Sequence, residues 1–186
     1  MSGPVIALCG FPGAGKSTLA RALAQRLGAR LVEYDRFETF TQRPLPEVLD
    51  WLASGARYAR LHAPGLDAAL RLAARDGAVV FDTPLGRAHP QTGGLIDRCF
   101  WLDCPADLAL ARKVAQLAGE VPQAESARFV AWLSGYLALY PTIIRPACDV
   151  QVQRVIPLCD ATIDGTAPID MVLETLVAKC TTGRLG

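Results

Sequence analysis

The sequence lacks a surplus of charge of either sign and lacks a long apolar run. Its 19 basic and 18 acidic side chains give a formal net charge of +1. Such a balance provides no global field toward nucleic acid or an anionic membrane, so we expect neither as a partner. The first apolar run, Val5–Cys9, is far too short for a signal-peptide core or a membrane span. We therefore expect a cytoplasmic protein.

The sequence also lacks cysteine pairs at metal-ligand spacing, and it contains few lysines. No CxxC pair occurs, and no histidine stands at zinc-ligand spacing from a cysteine. We therefore expect the six cysteines to be buried free thiols: Cys9, Cys99, Cys104, Cys148, Cys159 and Cys180. Only three lysines are present, and one of them, Lys16, lies within a glycine-rich segment, where it is unlike general surface charge.

Short apolar runs alternate with longer segments of helical periodicity. This pattern is typical of a parallel sheet covered by helices on both faces, and 186 residues suit one domain. The predicted class is α/β, a three-layer αβα sandwich around a five-stranded parallel sheet. Strands are predicted at 5–9, 30–34, 78–81, 99–102 and 161–163, and helices at 17–27, 47–54, 66–75, 105–117, 125–140 and 169–180.

The segment between the first strand and the first helix matches G-x-x-x-x-G-K-[ST] at Gly10, Gly15, Lys16 and Ser17. Glycines let the backbone fold around a phosphate chain, and the following helix adds its N-terminal amides. Lys16 is predicted to bridge the β- and γ-phosphates as a catalytic residue, and the Ser17 hydroxyl to bind Mg²⁺. The predicted nucleotide-binding residues are Gly10, Gly13, Ala14, Gly15, Lys16, Ser17 and Thr18. The alternative is a glycine-rich turn without a ligand.

GTPases share this loop, but the motifs by which they read guanine and sense the γ-phosphate are missing. The chain contains no asparagine and no Asp-x-x-Gly, and neither Lys113 nor Lys179 is followed two residues later by Asp. We therefore expect ATP as the phosphoryl donor, with Mg²⁺ as the cofactor.

Two carboxylates stand where predicted strands end. Asp35 follows the second strand, where it is well placed to act as a base toward an acceptor hydroxyl. Asp82 ends the apolar run Val79-Val80-Phe81, which has the form of a Walker B element that holds Mg²⁺. Either aspartate could instead be a turn-forming residue.

These features resemble the small P-loop kinases of nucleosides, nucleotides and metabolites, and most of all the uridine kinase and phosphoribulokinase branch. The matching segments are Asp35-Arg36-Phe37, residues 58–67, Arg112-Lys113, and Tyr140 with Arg145-Pro146. The resemblance implies the P-loop NTPase fold and one kinase domain over residues 1–186, with an acceptor-binding region near 36–76 and a lid near 112–128. The chain departs from the pattern of that branch at Asp82, which is followed by Thr83-Pro84 instead of a Glu-Gly pair. This difference leaves the identity of the acceptor open.

The resemblance also suggests individual roles. Asp35 is predicted to contact the acceptor hydroxyl, and Arg112, from the lid, to stabilise the transferred phosphoryl group, with Arg128 as a further candidate. The loop at 164–168 corresponds to one that lies along adenine, although any strand-to-helix turn looks similar. The predicted acceptor-binding residues are Asp35, Arg36, Tyr58, His62 and Arg87.

The predicted activity is transfer of the γ-phosphoryl group of ATP to a hydroxyl of a small nucleoside-like or sugar-like metabolite. Two alternatives stay open. A nucleoside monophosphate kinase would need arginines for its acceptor more than a base, and a regulatory nucleotide-binding protein would keep the loop without turnover. The sequence leaves the oligomeric state open, a homodimer included.

Overall fold

The computed structural model describes residues 2–181. Five parallel strands form one sheet in the order β2-β3-β1-β4-β5: β1 Val5–Cys9, β2 Arg30–Glu33, β3 Val79–Asp82, β4 Arg98–Asp103 and β5 Ala161–Asp164. Helices cover both faces of the sheet, which confirms the predicted three-layer sandwich. They are α1 Lys16–Leu27, α2 Leu45–Ala53, α3 Leu66–Arg75, α4 Ala106–Glu120, α5 Ser126–Leu139, α6 Arg145–Val155 and α7 Ile169–Thr181.

The central strands supply the core because both of their faces are covered. Every residue of β1 and β3 is buried, and Ala7 lies in register with Phe81 on one side and with Cys99 on the other. Continuous apolar runs of this kind are what a parallel strand needs when helices pack on both sides. The chain places β2 and β3 on one side of β1 and then crosses to β4 and β5 on the other, so a crevice opens at the carboxyl ends of the central strands.

Helix α1 begins and ends at glycines. Gly15 precedes it with φ of 95°, and Gly28 follows it with φ of 61°, where its N–H contacts the carbonyls of Ala24 and Gln25. Gly28 is therefore the C-terminal cap of α1, since a left-handed residue there satisfies carbonyls that the helix leaves unpaired.

Two element boundaries differ from the sequence prediction at the edge of the crevice. Strand β2 ends at Glu33 because residues Tyr34–Arg36 form a 3₁₀ turn, so Asp35 lies on that turn instead of directly at the strand end. Helix α4 continues to Glu120, three residues beyond the predicted end at 117.

The predicted helix at 125–140 ends within one residue of the prediction, but helical structure continues beyond it. The chain passes from α5 into a π-helical turn, Tyr140–Ile144, and then into α6, which the sequence prediction missed. Pro141 and Pro146 both fall in the first two positions of their segments. Because the residues before both segments are themselves helical, each proline removes one N–H from a continuing helix, and the π-helical turn lies where the α-helical hydrogen-bond pattern is interrupted.

No helix within residues 2–181 is long and apolar enough to cross a membrane.

Candidate active site

The loop between β1 and α1 wraps one end of a cleft of about 970 Å³ at the carboxyl edge of the sheet. Its lining includes Gly13, Gly15, Lys16, Ser17 and Thr18. No side chain caps α1, so its first backbone N–H groups point into the cleft without a helical acceptor. Together with the helix dipole, they provide a site for an anion.

Gly13 cannot be replaced by a larger residue without moving the neighbouring helix. Its φ is 85°, and a Cβ built on it would lie 2.0 Å from the carbonyl oxygen of Ala109 in α4. Gly10 is similarly restricted, because its Cβ would lie 2.8 Å from the carbonyl oxygen of Leu102. The loop glycines therefore serve both the backbone turn and the close packing of the loop on α4 and β4.

Lys16 lies over the loop with its ammonium directed at the cleft. Its Nζ donates a hydrogen bond of 2.9 Å to the carbonyl oxygen of Phe11. Burial lowers the pKa of Lys16, and the charges of Asp82 and Asp35 oppose that shift. Lys16 therefore shares one electrostatic environment with the two predicted carboxylates.

The structure brings Asp35 and Asp82 to the same cleft as Lys16 and Ser17. Burial raises the pKa of Asp35, the charge of Asp82 raises it further, and Lys16 partly offsets both effects. A carboxyl with a raised pKa is a stronger base once ionised, which suits proton abstraction from a hydroxyl. Asp82 lies at the end of β3 and is 8% exposed. Its carboxylate and the Ser17 hydroxyl both line the cleft, and both offer oxygen atoms of the kind that Mg²⁺ prefers.

Two cationic residues of α4 face the cleft in different ways. The Nη1 of Arg112 donates a 2.9 Å hydrogen bond to the carbonyl oxygen of Gly165, which holds its guanidinium beside the loop between β5 and α7. Lys113 lies close enough to influence the pKa values of both Lys16 and Asp35. Of these two α4 cations, Lys113 is therefore the one whose charge acts on Lys16 and Asp35.

The wall opposite the loop is mostly apolar. Trp51 is 6% exposed, packs edge-on against Phe40 with ring centroids 4.9 Å apart, and donates its indole N–H to the carbonyl oxygen of Arg57 at 3.0 Å. Gln151 fixes the far side by donating a 2.8 Å hydrogen bond to the carbonyl oxygen of Pro84. The other apolar side chains of the wall are Leu61, Leu85, Ile143, Ile144 and Ala147.

Sequence reasoning missed the part of this wall that comes from the π-helical turn and α6. A signal was nevertheless present. Ile144, Cys148, Gln151 and Val155 recur at offsets of four, seven and eleven residues, which is helical periodicity across Pro146. Three of the four, Ile144, Cys148 and Gln151, line the cleft.

The arginines at the open end of the cleft are partly neutralised. Arg21 and Arg36 both line the cleft, and both pair with Glu33, at 3.3 Å and 2.5 Å respectively. The side chain of Glu33 is only 14% exposed. Arg36 is thus brought to the cleft as predicted for an acceptor contact, but its charge is already shared.

Three predicted acceptor residues lie elsewhere. Tyr58 is buried under the guanidinium of Arg154, 5.4 Å from its ring centroid, and burial raises its pKa to about 12. His62 is exposed and offers its carbonyl oxygen to the Thr39 hydroxyl at 3.5 Å. Neither lines the cleft, so the structure does not bring these two predicted acceptor residues to it.

Arg87 does not line the cleft either, and other partners engage its guanidinium. It forms an ion pair with Asp160 at 2.8 Å and donates hydrogen bonds to the carbonyl oxygens of Ile96, Asp97 and Leu158. These contacts tie the segment after β3 to the entry of β5. Arg128, the alternative lid arginine, is exposed on α5 and does not line the cleft.

Comparison with known proteins adds two findings. A family model described as "AAA domain" matches residues 5–136, which is well over half of the chain. No curated protein matches the sequence.

Several solved structures share the fold at low sequence identity. A shikimate kinase from Acinetobacter baumannii in complex with shikimate superposes with a TM-score of 0.61 at 16% identity, covering 99% of this chain and 96% of that one. A sugar kinase from Janibacter sp. HTCC2649 gives 0.56 at 16% identity, with 95% and 93% covered. A gluconokinase from Sinorhizobium meliloti 1021 gives 0.50 at 14% identity, with 100% and 98% covered. The chain therefore has the fold of small P-loop kinases.

Proposed function

The chain belongs to the AAA domain family, and on that premise we propose that it is an ATP-dependent kinase that phosphorylates a hydroxyl of a small metabolite. The observation that carries the proposal is the shared cleft. The phosphate loop with Lys16, the two carboxylates Asp35 and Asp82, and an apolar wall all line one cleft. The similar folds of kinases for shikimate, a sugar and gluconate support the same reaction class.

The reaction follows from the placement of the side chains. The ionised Asp35 accepts the proton of the acceptor hydroxyl, whose oxygen forms the new bond to the γ-phosphorus while the bond from that phosphorus to the β,γ-bridging oxygen breaks. ADP leaves with that electron pair. Lys16 and the N-terminal amides of α1 hold the phosphates and stabilise the charge that develops on the transferred group.

The residues present fit a magnesium ion. The Ser17 hydroxyl and the Asp82 carboxylate are hard oxygen donors, and they lie at adjacent elements on the cleft. Bound with ATP, Mg²⁺ would neutralise phosphate charge. This assignment rests on donor chemistry.

The wall indicates the character of the acceptor. Phe40, Trp51, Leu61, Ile143 and Ile144 present apolar surface, whereas Arg21 and Arg36 already share Glu33. An acceptor with a second strong negative charge would have to compete with Glu33 for them. The acceptor that fits best carries a hydroxyl on a ring or chain with an apolar face, such as a nucleoside-like compound, more than a monophosphate or a sugar acid.

An ADP-release assay across a panel of acceptors tests the proposal. The panel contains nucleosides, neutral sugars, sugar acids, aromatic alcohols and nucleoside monophosphates. We expect ADP production stimulated by a neutral hydroxyl compound with an apolar face and abolished in Lys16→Ala. Stimulation by monophosphates alone would establish the monophosphate kinase alternative, and ATP binding without stimulation by any acceptor would favour a regulatory protein.

A further inference from the structure

Three cysteines converge beneath the phosphate loop, away from the acceptor wall. Cys9 is the last residue of β1 and directly precedes Gly10, Cys99 lies in β4, and Cys159 follows the 3₁₀ turn that leads to β5. The Sγ atoms of Cys9 and Cys99 are 3.6 Å apart, and those of Cys99 and Cys159 are 3.3 Å apart. All three sulfurs lie within 4.8 Å of one another.

The backbone after β3 closes over these sulfurs. A Cβ built on Gly86 would lie 2.6 Å from the Cys9 sulfur and 2.9 Å from the Cys99 sulfur, and Gly86 has φ of 49°. Only glycine therefore permits this approach. The bare backbone covers the sulfurs of Cys9 and Cys99, which are buried, whereas Cys159 is half-buried at the edge of the cluster.

Arg87 and Asp160 hold the backbone beside the cluster. Arg87 donates a 3.0 Å hydrogen bond to the carbonyl oxygen of Leu158, which directly precedes Cys159. Asp160 accepts a 2.8 Å hydrogen bond from the backbone N–H of Cys99 while pairing with Arg87. These partners orient the strand and loop that carry two of the sulfurs, as outer partners do at metal sites.

We propose that Cys9, Cys99 and Cys159 form a trigonal site for a thiophilic monovalent cation, Cu(I). With metal–sulfur distances of about 2.3 Å, three sulfurs around one ion would be about 4.0 Å apart, so the observed spacing needs only small side-chain shifts. Each ligating thiol releases its proton to solvent on binding, and the ion stays Cu(I), so no oxidant or reductant is required.

The number of ligands selects the metal. Within the described residues 2–181, the cluster contains three sulfurs and no histidine or carboxylate. Structural zinc sites take four ligands, whereas soft thiolates alone suit Cu(I). Asp160, the nearest carboxylate along the chain, is engaged by Arg87 and by the Cys99 amide.

Anaerobic titration of the full-length reduced chain with Cu(I) against bicinchoninate, a Cu(I) chelator, tests the proposal. We expect one bound Cu(I) per chain in the native protein and in Cys180→Ser, because Cys180 lies on α7 outside the cluster. Cys159→Ser should lose that equivalent to the chelator. Cys159 is only half-buried, so its replacement is the least disruptive of the three, and circular dichroism checks that the variant is folded.

A second measurement uses the native chain and does not depend on a variant. N-ethylmaleimide labelling mapped by mass spectrometry should show Cys159 protected by one equivalent of Cu(I) while Cys180 stays reactive. Binding of Zn²⁺ with no Cu(I) retained, equal Cu(I) binding by Cys159→Ser, or unchanged labelling of Cys159 would each overturn the proposal. Kinase turnover is not part of either readout, so the outcome is independent of the proposed function.

Discussion

Replacing Gly13 with alanine should damage both stability and nucleotide binding, and the structure gives the size of the effect. The new Cβ would lie 2.0 Å from the Ala109 carbonyl oxygen, so the loop or α4 must move. Forcing an extra carbon into a packed site costs about 1–3 kcal/mol, and an L-residue at a left-handed φ of 85° adds about 1–2 kcal/mol. The free energy of unfolding should therefore fall by about 2–5 kcal/mol. In a domain of this size, that lowers Tm by roughly 4–20 °C.

The assay is thermal unfolding with and without ATP, and Gly135→Ala is the matched control. Gly135 lies inside α5, with no atom within 4 Å of its built Cβ. Alanine there should leave Tm unchanged or raise it, because glycine weakens a helix interior by about 0.5–1 kcal/mol. In Gly13→Ala, the shift of Tm on adding ATP should also shrink, since the loop amides are displaced. A Gly13→Ala protein with native Tm and a native ATP shift would refute the reasoning.

Three further outcomes are expected. Because burial and Asp82 raise the pKa of Asp35, kcat/KM should fall with decreasing pH through a pKa above that of an ordinary carboxyl; a pH–rate profile at the ordinary carboxyl value would contradict this. Lys113→Ala should weaken ATP binding about tenfold or more in isothermal titration calorimetry, whereas Lys179→Ala on α7 should not. Equal ATP affinities of the two variants would show that Lys113 does not contribute to ATP binding. Arg87→Ala should lower Tm by several degrees, because the contacts of Arg87 to Asp160 and to three carbonyl oxygens are lost. The KM for the acceptor should stay unchanged, and a raised KM would instead indicate that Arg87 contacts the acceptor.

The sheet and the phosphate loop were readable from the sequence because their signals are local. Val79 and Val80 belong to a continuous apolar run, which is typical of a strand covered on both faces. The phosphate loop is recognised from the spacing of Gly10 and Gly15-Lys16-Ser17 alone. Asp82 lies near the loop because β3, the strand that ends at Asp82, pairs with β1.

The acceptor side could not be predicted in the same way. Its wall combines Trp51 from α2 with Ile144 beyond Pro141, and the proline hid the continuation of the helical segment. Whether an arginine is available depends on distant partners, as with Arg87, whose ion-pair partner is Asp160, 73 positions away. The meeting of Cys9 with Cys99 and Cys159 is likewise a consequence of strand order, which no local pattern encodes.

The most direct test of the central claim is the turnover of Asp35→Asn at saturating ATP and acceptor, compared with Asp50→Asn. Asp50 is exposed on α2 and pairs with Arg60 outside the cleft, so its replacement controls for loss of one carboxylate. With Asp35 as the base for a hydroxyl acceptor, kcat should fall about 10²–10⁴-fold in Asp35→Asn and stay near native in Asp50→Asn. If Asp35→Asn kept its kcat and lost only affinity, the account of hydroxyl phosphorylation by this cleft would be contradicted.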